Sequence, residues 1–132
     1  MYSFSTRLTG DLKEIEERLV EALMSEGFGI LTEIDVQATM KAKLGIEHRP
    51  YRILGACNPG LAHQAIEAEP DIGLLLPCNL VLRQEENGEI TVAFMDPVAV
   101  LQLVDRPEVA ELAHEVKQRL QRVEQAIQAS NP

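Results

Sequence analysis

The sequence predicts an α+β fold, with a single mostly antiparallel curved sheet, two main helices packed on one face, and further short helices. Three observations carry that reading. Two segments, about residues 11–26 and 106–128, place apolar residues at the three- and four-residue spacing of an amphipathic helix. Short runs of β-forming residues separate the helices. The clearest of these runs, 79–86 and 89–95, flank Asn87-Gly88, the pair that most favours a two-residue type I′ turn, and so should run antiparallel.

Residues 2–8 alternate, with Tyr2, Phe4, Thr6 and Leu8 on one side, and read as a first strand. Leu12, Ile15, Leu19, Ala22 and Leu23 form the apolar stripe of the first long helix, which Gly27 closes. Phe28 to Val36 reads as a second strand. Asp35 can cap a short helix carrying Ala38, Met40, Lys41 and Leu44, with Gly45 at its end. Tyr51 to Ala56 is a third strand, and Cys57 lies at its end. Asn58 is a good N-cap and Pro59 fits a first helical position, so a short helix with Leu61, Ala62, Ala65 and Ile66 inward should begin there. Asp71 to Leu76 enters a fourth strand, which Pro77 interrupts because proline has no amide to donate.

A two-residue turn at Asn87-Gly88 places Glu86 opposite Glu89, Arg83 opposite Val92, Leu82 opposite Ala93, Val81 opposite Phe94 and Leu80 opposite Met95. Both faces of the hairpin are then apolar away from the turn. The second face is expected to be covered as well, by a loop or by another subunit. Val98 to Val104 suggests a helical turn. Val109, Leu112, Ala113, Val116, Leu120, Val123 and Ile127 mark the last long helix, and the tail Ala129–Pro132 is expected to fray.

With 132 residues, the chain is expected to form one domain over 1–132, large enough for a real core. Its 21 acidic and 12 basic residues give a net charge of -9, which phosphate backbones and anionic lipid surfaces repel. Aromatic residues make up 4 % of the chain and Trp is absent, so the stacking platform of a single-strand binder is missing. Nucleic acid and membrane are therefore not expected partners. No run approaches the roughly 20 apolar residues of a bilayer span. The start, Met1 to Arg7, lacks the basic and apolar regions of a signal peptide, so the expected compartment is the cytoplasm, where two cysteines stay reduced.

The features most like a site are Ala56-Cys57-Asn58-Pro59 and Leu76-Pro77-Cys78-Asn79. In each, a Cys-Asn step sits beside a proline after an apolar run. One reading makes Cys57 and Cys78 small buried hydrophobes. The other places Cys57 at a helix N-terminus, where the dipole would lower its pKa and make it a nucleophile, a redox sensor or a ligand, with Cys78 as partner. His63, about one turn on, could complete a Cys/His pair. Glu33, Asp35, Lys41 and Lys43 form a charged cluster after the second strand. It reads as a solvated turn capped by Asp35, or as a pocket rim where Lys41 meets an anionic ligand that Asp35 orients. Cys57, Cys78, His48, His63 and His114 match no paired zinc spacing, and no metal or cofactor is indicated, although a haem held through one residue needs no such pairing. No recognised catalytic motif is present.

Gly27-Phe28, Glu33-Ile34-Asp35, Lys41, Ala56-Cys57-Asn58-Pro59, Leu75-Leu76-Pro77-Cys78-Asn79 and Asp96-Pro97 resemble, over nearly the whole chain, domain-of-unknown-function family 302. The resemblance implies no assigned activity. It implies a fold similar to the TATA-box-binding-protein class, and homodimers. DNA binding does not follow from a fold likeness. The expectation is then a cytoplasmic homodimeric module that binds or senses a small molecule. Its pocket would lie near Cys57, Asn58, Cys78 and Asn79, between the sheet and the 35–45 segment with Asp35 and Lys41. The competing expectation is a thiol-based redox or haem- or metal-binding protein using Cys57 and Cys78.

Overall fold

The structure is a computed structural model, and residues 1–129 are described. The expected fraying of the tail beyond Ala129 lies outside them. The elements are β1 (Ser3–Leu8), α1 (Leu12–Ser25), β2 (Gly29–Asp35), α2 (Val36–Leu44), β3 (Tyr51–Cys57), α3 (Pro59–Ala68), β4 (Cys78–Gln84), β5 (Ile90–Met95), α4 (Pro97–Leu101) and α5 (Pro107–Ala129). Five strands form one sheet in the order β1-β5-β4-β3-β2, and every neighbouring pair is antiparallel. The helices start where the sequence offers a capping oxygen. Asp11 accepts from the Glu14 amide at 3.4 Å, Asp35 from Ala38 at 2.9 Å and Asn58 from Leu61 at 3.1 Å.

Strand alternation sends Leu54, Leu80, Leu82, Val92 and Phe94 to one face, where α1 and α5 cover them with Ile15, Leu19, Leu23, Leu120, Val123 and Ile127. Each such side chain, fully buried, contributes about 1.5–3 kcal/mol. Phe4 stacks on Phe94 with ring centroids 5.1 Å apart, which extends this core onto edge strand β1. At the other edge Arg52 binds Glu16 of α1 at 2.6 Å and Glu33 of β2 at 3.1 Å. A second, smaller cluster of Ala65, Ile72, Leu101, Val109 and Ala113 joins α3 and α4 to the start of α5. Asp96 holds α4 in place. It accepts from the Val98 amide at 2.9 Å and pairs with Lys117 of α5 at 2.9 Å. Burial pushes its pKa up, but Lys117 and the amides of Ala99 and Val98 outweigh that and hold the carboxyl below its ordinary value.

Two expectations need correction. The hairpin turn has three residues instead of two. Glu85 N–H donates to the Glu89 carbonyl at 2.8 Å, and Gly88 N–H to the Glu85 carbonyl at 3.0 Å. A type I′ turn needs positive φ at both central positions, and only Gly88 has it, at 89°. Asn87 instead accepts from the Glu89 amide at 3.0 Å and donates to its carboxylate at 2.8 Å. The extra residue moves the register by one, so that Leu80 faces Phe94, Val81 faces Ala93, Leu82 faces Val92 and Arg83 faces Thr91. Large apolar side chains now meet under the helices, and the smaller Val81–Ala93 pair goes to the other side.

The second correction concerns residues 71–76. They do not enter a strand. Pro70–Leu75 form a 3₁₀ turn that buries Ile72 in the second cluster, and β4 begins at Cys78, after Pro77. On the far face a loop covers part of the sheet: an added Cβ on Gly55 would stand 2.7 Å from Pro77 Cγ and also run into Thr32. The adjacent apolar row Ile34–Ile53–Val81–Ala93 is less covered, and Ile34 is 46 % exposed.

Gly55→Ala should therefore force the 76–77 loop and β2 apart at this point. Urea unfolding is expected to show a loss of about 1–3 kcal/mol. Unchanged stability would mean that the loop does not press on the sheet there.

Candidate functional site

The register of β3 with β4 sets Ala56 opposite Cys78 at one end of the sheet. Directly after this pair the chain stops being strand on both sides. Beyond Cys57, the Asn58 cap turns it into α3; before Cys78, Pro77 and the 3₁₀ turn bring it in from the α3 side. With Leu112 and Val116 of α5 and Leu101 of α4, these segments enclose a partly open cavity of about 40 Å³. Its walls are almost wholly apolar; Leu61, Ala62, Leu76 and Pro77 form the side toward α3, and Asn58 is the one residue with a polar amide. Space for one water needs about 10–15 Å³, whereas sites for drug-sized molecules run to about 300–1,000 Å³. The cleft thus has room for a few heavy atoms. It is far too small to enclose a haem.

The two cysteines are brought together, as the sequence suggested. Both line the cleft and both are free thiols. Their ionisation runs opposite to the nucleophile expectation. Burial raises the Cys57 pKa. Burial, with a smaller effect from a charge on Cys57, pushes Cys78 up to about 12. At this helix start the Asn58 side chain is the capping group, its Oδ1 accepting from the Leu61 amide, while burial is the cause that raises the Cys57 thiol. At neutral pH both groups are neutral thiols, small and polarisable.

The other sequence-derived residues lie elsewhere. Asn79 follows Cys78, so alternation points it to the opposite face, opposite Gly55, where it is exposed. Asp35 caps α2 and lies 4.0 Å from Arg52, while the exposed Lys41 lies 3.9 Å from Glu47. Both belong to the far end of β2 and β3. Asp35 pairs with Arg52, whereas Gly29 pairs with Cys57. Five residue steps along β3, from Arg52 to Cys57, separate those two ends, roughly 16 Å at about 3.3 Å each. The cleft therefore does not lie between the sheet and the 35–45 segment, and antiparallel topology is the reason. His63 points outward, 74 % exposed and 3.4 Å from Glu67, so it forms no pair with Cys57.

Sequence reasoning missed Phe28, Leu101, Leu112 and Val116 as lining residues. Helical spacing marked the α5 members as buried, but periodicity does not separate a core wall from a cleft wall. Among the described residues, no group of three or more His, Cys, Asp or Glu side chains could hold a metal ion. No described helix is long and apolar enough to cross a membrane.

An antiparallel five-stranded sheet backed by helices, and not closed into a barrel, defines an α+β protein with an apolar cleft at one sheet end. The chain belongs to the family described as domain of unknown function DUF302, whose family model matches residues 4–127. It is also similar to the crystal structure of an uncharacterized conserved DUF302 protein from Bacillus stearothermophilus. The two share 30 % identity and a TM-score of 0.88, over 96 % of this chain and 98 % of the other. Among curated proteins none matches.

The thiol chemistry is directly measurable. Iodoacetamide at pH 8 should alkylate Cys57 more slowly than free cysteine and leave Cys78 untouched until the protein is denatured, as read by mass spectrometry. Alkylation of Cys57 faster than the free amino acid would restore the nucleophile reading.

Proposed function

We propose that this protein is a cytoplasmic homodimeric binding or sensing module. Its ligand is a small molecule with an apolar part that enters the cleft beside Cys57, Asn58 and Cys78. The observation that carries this reading is the character of the cleft walls. Apolar side chains close on a space with two neutral thiols and one amide, and such a site rewards the transfer of an apolar fragment from water. The same walls argue against catalysis. The titratable groups lining the cleft are Cys57 and Cys78, and both are held protonated. The dimer draws support from the incompletely covered row Ile34–Ile53–Val81–Ala93, with exposed Leu44 at the end of α2 and exposed Ile46 just beyond it.

Xenon tests the cleft without presupposing a ligand, because it enters dry apolar cavities. Under xenon, amide chemical shifts should move for residues around Cys57, Ala62 and Cys78. Ala62→Leu, which fills the cleft, should abolish the shifts and leave thermal unfolding unchanged or slightly later. Absence of any xenon response in the unmodified protein would remove the cleft as a site.

Light scattering tests the dimer separately. A particle of two chains is expected, and Val81→Lys should convert it to one. A particle of one chain in the unmodified protein would refute the assembly.

A further inference from the structure

We infer that a second copy of the chain stacks sheet to sheet on this one, about a two-fold axis that runs along β4 at Val81. The inference rests on the dimer reading above and adds how the two copies meet. One row of directly opposed residues crosses the sheet face that turns away from α1 and α5: Ile34 on β2, Ile53 on β3, Val81 on β4, Ala93 on β5 and Ser5 on β1. Residues opposed across a ladder share a face, and Leu80, Leu82 and Phe94 hold the other one. The side chains shrink from the Ile34 end of the row to Ser5, so the row is a wedge, thick at β2 and thin at β1. β4 is the middle strand of the five. A two-fold axis along it lays the wedge on its own reverse: Ile53 meets the partner's Ala93, Ile34 meets the partner's Ser5, and Val81 meets its counterpart. Close packing sets large side chains against small ones, and an interface between identical copies must complement itself. An axis along the row instead would set Ile34 on Ile34 and leave Ser5 facing Ser5 across a gap. The 76–77 loop, which covers Gly55, bounds the interface at the cleft end.

Charge favours the same arrangement. Residues 11–26, 59–75 and 96–129, which hold α1, α3, α4 and α5, carry 15 acidic and 6 basic side chains, and with them the whole net charge of -9. The segments that form the sheet, α2 and the hairpin tip carry 6 of each and are neutral together. Stacking through the sheets leaves both acidic layers outside. With about 10 Å between neighbouring layers they stand about 30 Å apart, roughly three Debye lengths at 0.1 M salt. Contact through the helices would press the two acidic layers together. Edge-to-edge pairing at β2 is opposed by the irregularity between Ile30 and Thr32, which breaks that edge.

A size exchange tests the axis. Ala93 and Ile53 of one chain stand on either side of β4, about 10 Å apart at about 4.8 Å per strand, so any compensation between them runs across the interface. Isoleucine suits a strand, which keeps the single chain intact. The dissociation constant of the dimer is read by sedimentation in 0.1 and 0.5 M sodium chloride. Ala93→Ile should raise it at least ten-fold. Ile53→Ala added to Ala93→Ile should return it to within three-fold of the unmodified protein. The higher salt should tighten the unmodified dimer by less than ten-fold. If Ala93→Ile raises the constant by less than ten-fold, if the second substitution does not return it, or if salt tightens the dimer ten-fold or more, the stacked arrangement is overturned and the dimer reading survives. If the unmodified protein sediments as one chain, both are overturned. Should Ala93→Ile fail to fold, Ser5→Ile and Ile34→Ala are read in its place under the same criteria.

Discussion

Ala56 and Cys78 face each other across β3 and β4, and that pairing determines which side chains can meet at the end of the sheet. Strand alternation allows no compromise: a slip of one residue would exchange the buried and exposed sets of both strands. With this register Leu54, Ala56, Cys78 and Leu80 are on the helix side, and α5 lies across them. The strands then end together, and α3 and the 3₁₀ turn leave in a direction that α5 cannot fully cover. The cleft is the space left over where a sheet, a short helix and a long helix meet at one corner. Its apolar character follows from its position, since every wall is the continuation of a core face.

The cysteines fit this account as packing groups. A thiol at a strand end needs less room than leucine and tolerates an irregular wall. Asn58 takes the polar duty of the junction by capping α3, which frees Cys57 from it. The division of labour explains why a Cys-Asn step can stand at a helix start without producing a reactive thiolate. It also shows why local sequence alone misleads here. Asn58 caps the helix start, and burial raises the pKa of the thiol beside it.

Much of the fold was legible because it is written in short-range chemistry. Asp35 and Asn58 announced two helix starts, and the stripes of α1 and α5 stated which faces turn inward. The errors arose where a local preference competed with packing. Asn87-Gly88 favours a two-residue turn, but the large side chains of β4 and β5 match only if Glu86 joins the loop. Asp71 to Leu76 reads as a strand by composition, yet Pro70 and Pro77 bound a segment that folds as a turn. The site was half legible. Cys57, Asn58 and Cys78 converge because they flank adjacent strand ends, a matter of topology that the hairpin and strand order imply. Asp35 and Lys41 are remote for the same topological reason.

The three-residue hairpin tip has an asymmetric effect on how this chain can vary. The Glu86 side chain stands in solvent and can vary, and an inserted residue would only enlarge the loop, whereas Asn87 is held by its two hydrogen bonds to Glu89. Removing one residue is different. The strands would have to re-register, setting Val81 against Phe94 and leaving mismatched volumes beneath α1 and α5. In evolutionary terms this tip is a one-way valve: lineages can lengthen it at little cost, whereas shortening it requires rebuilding the core.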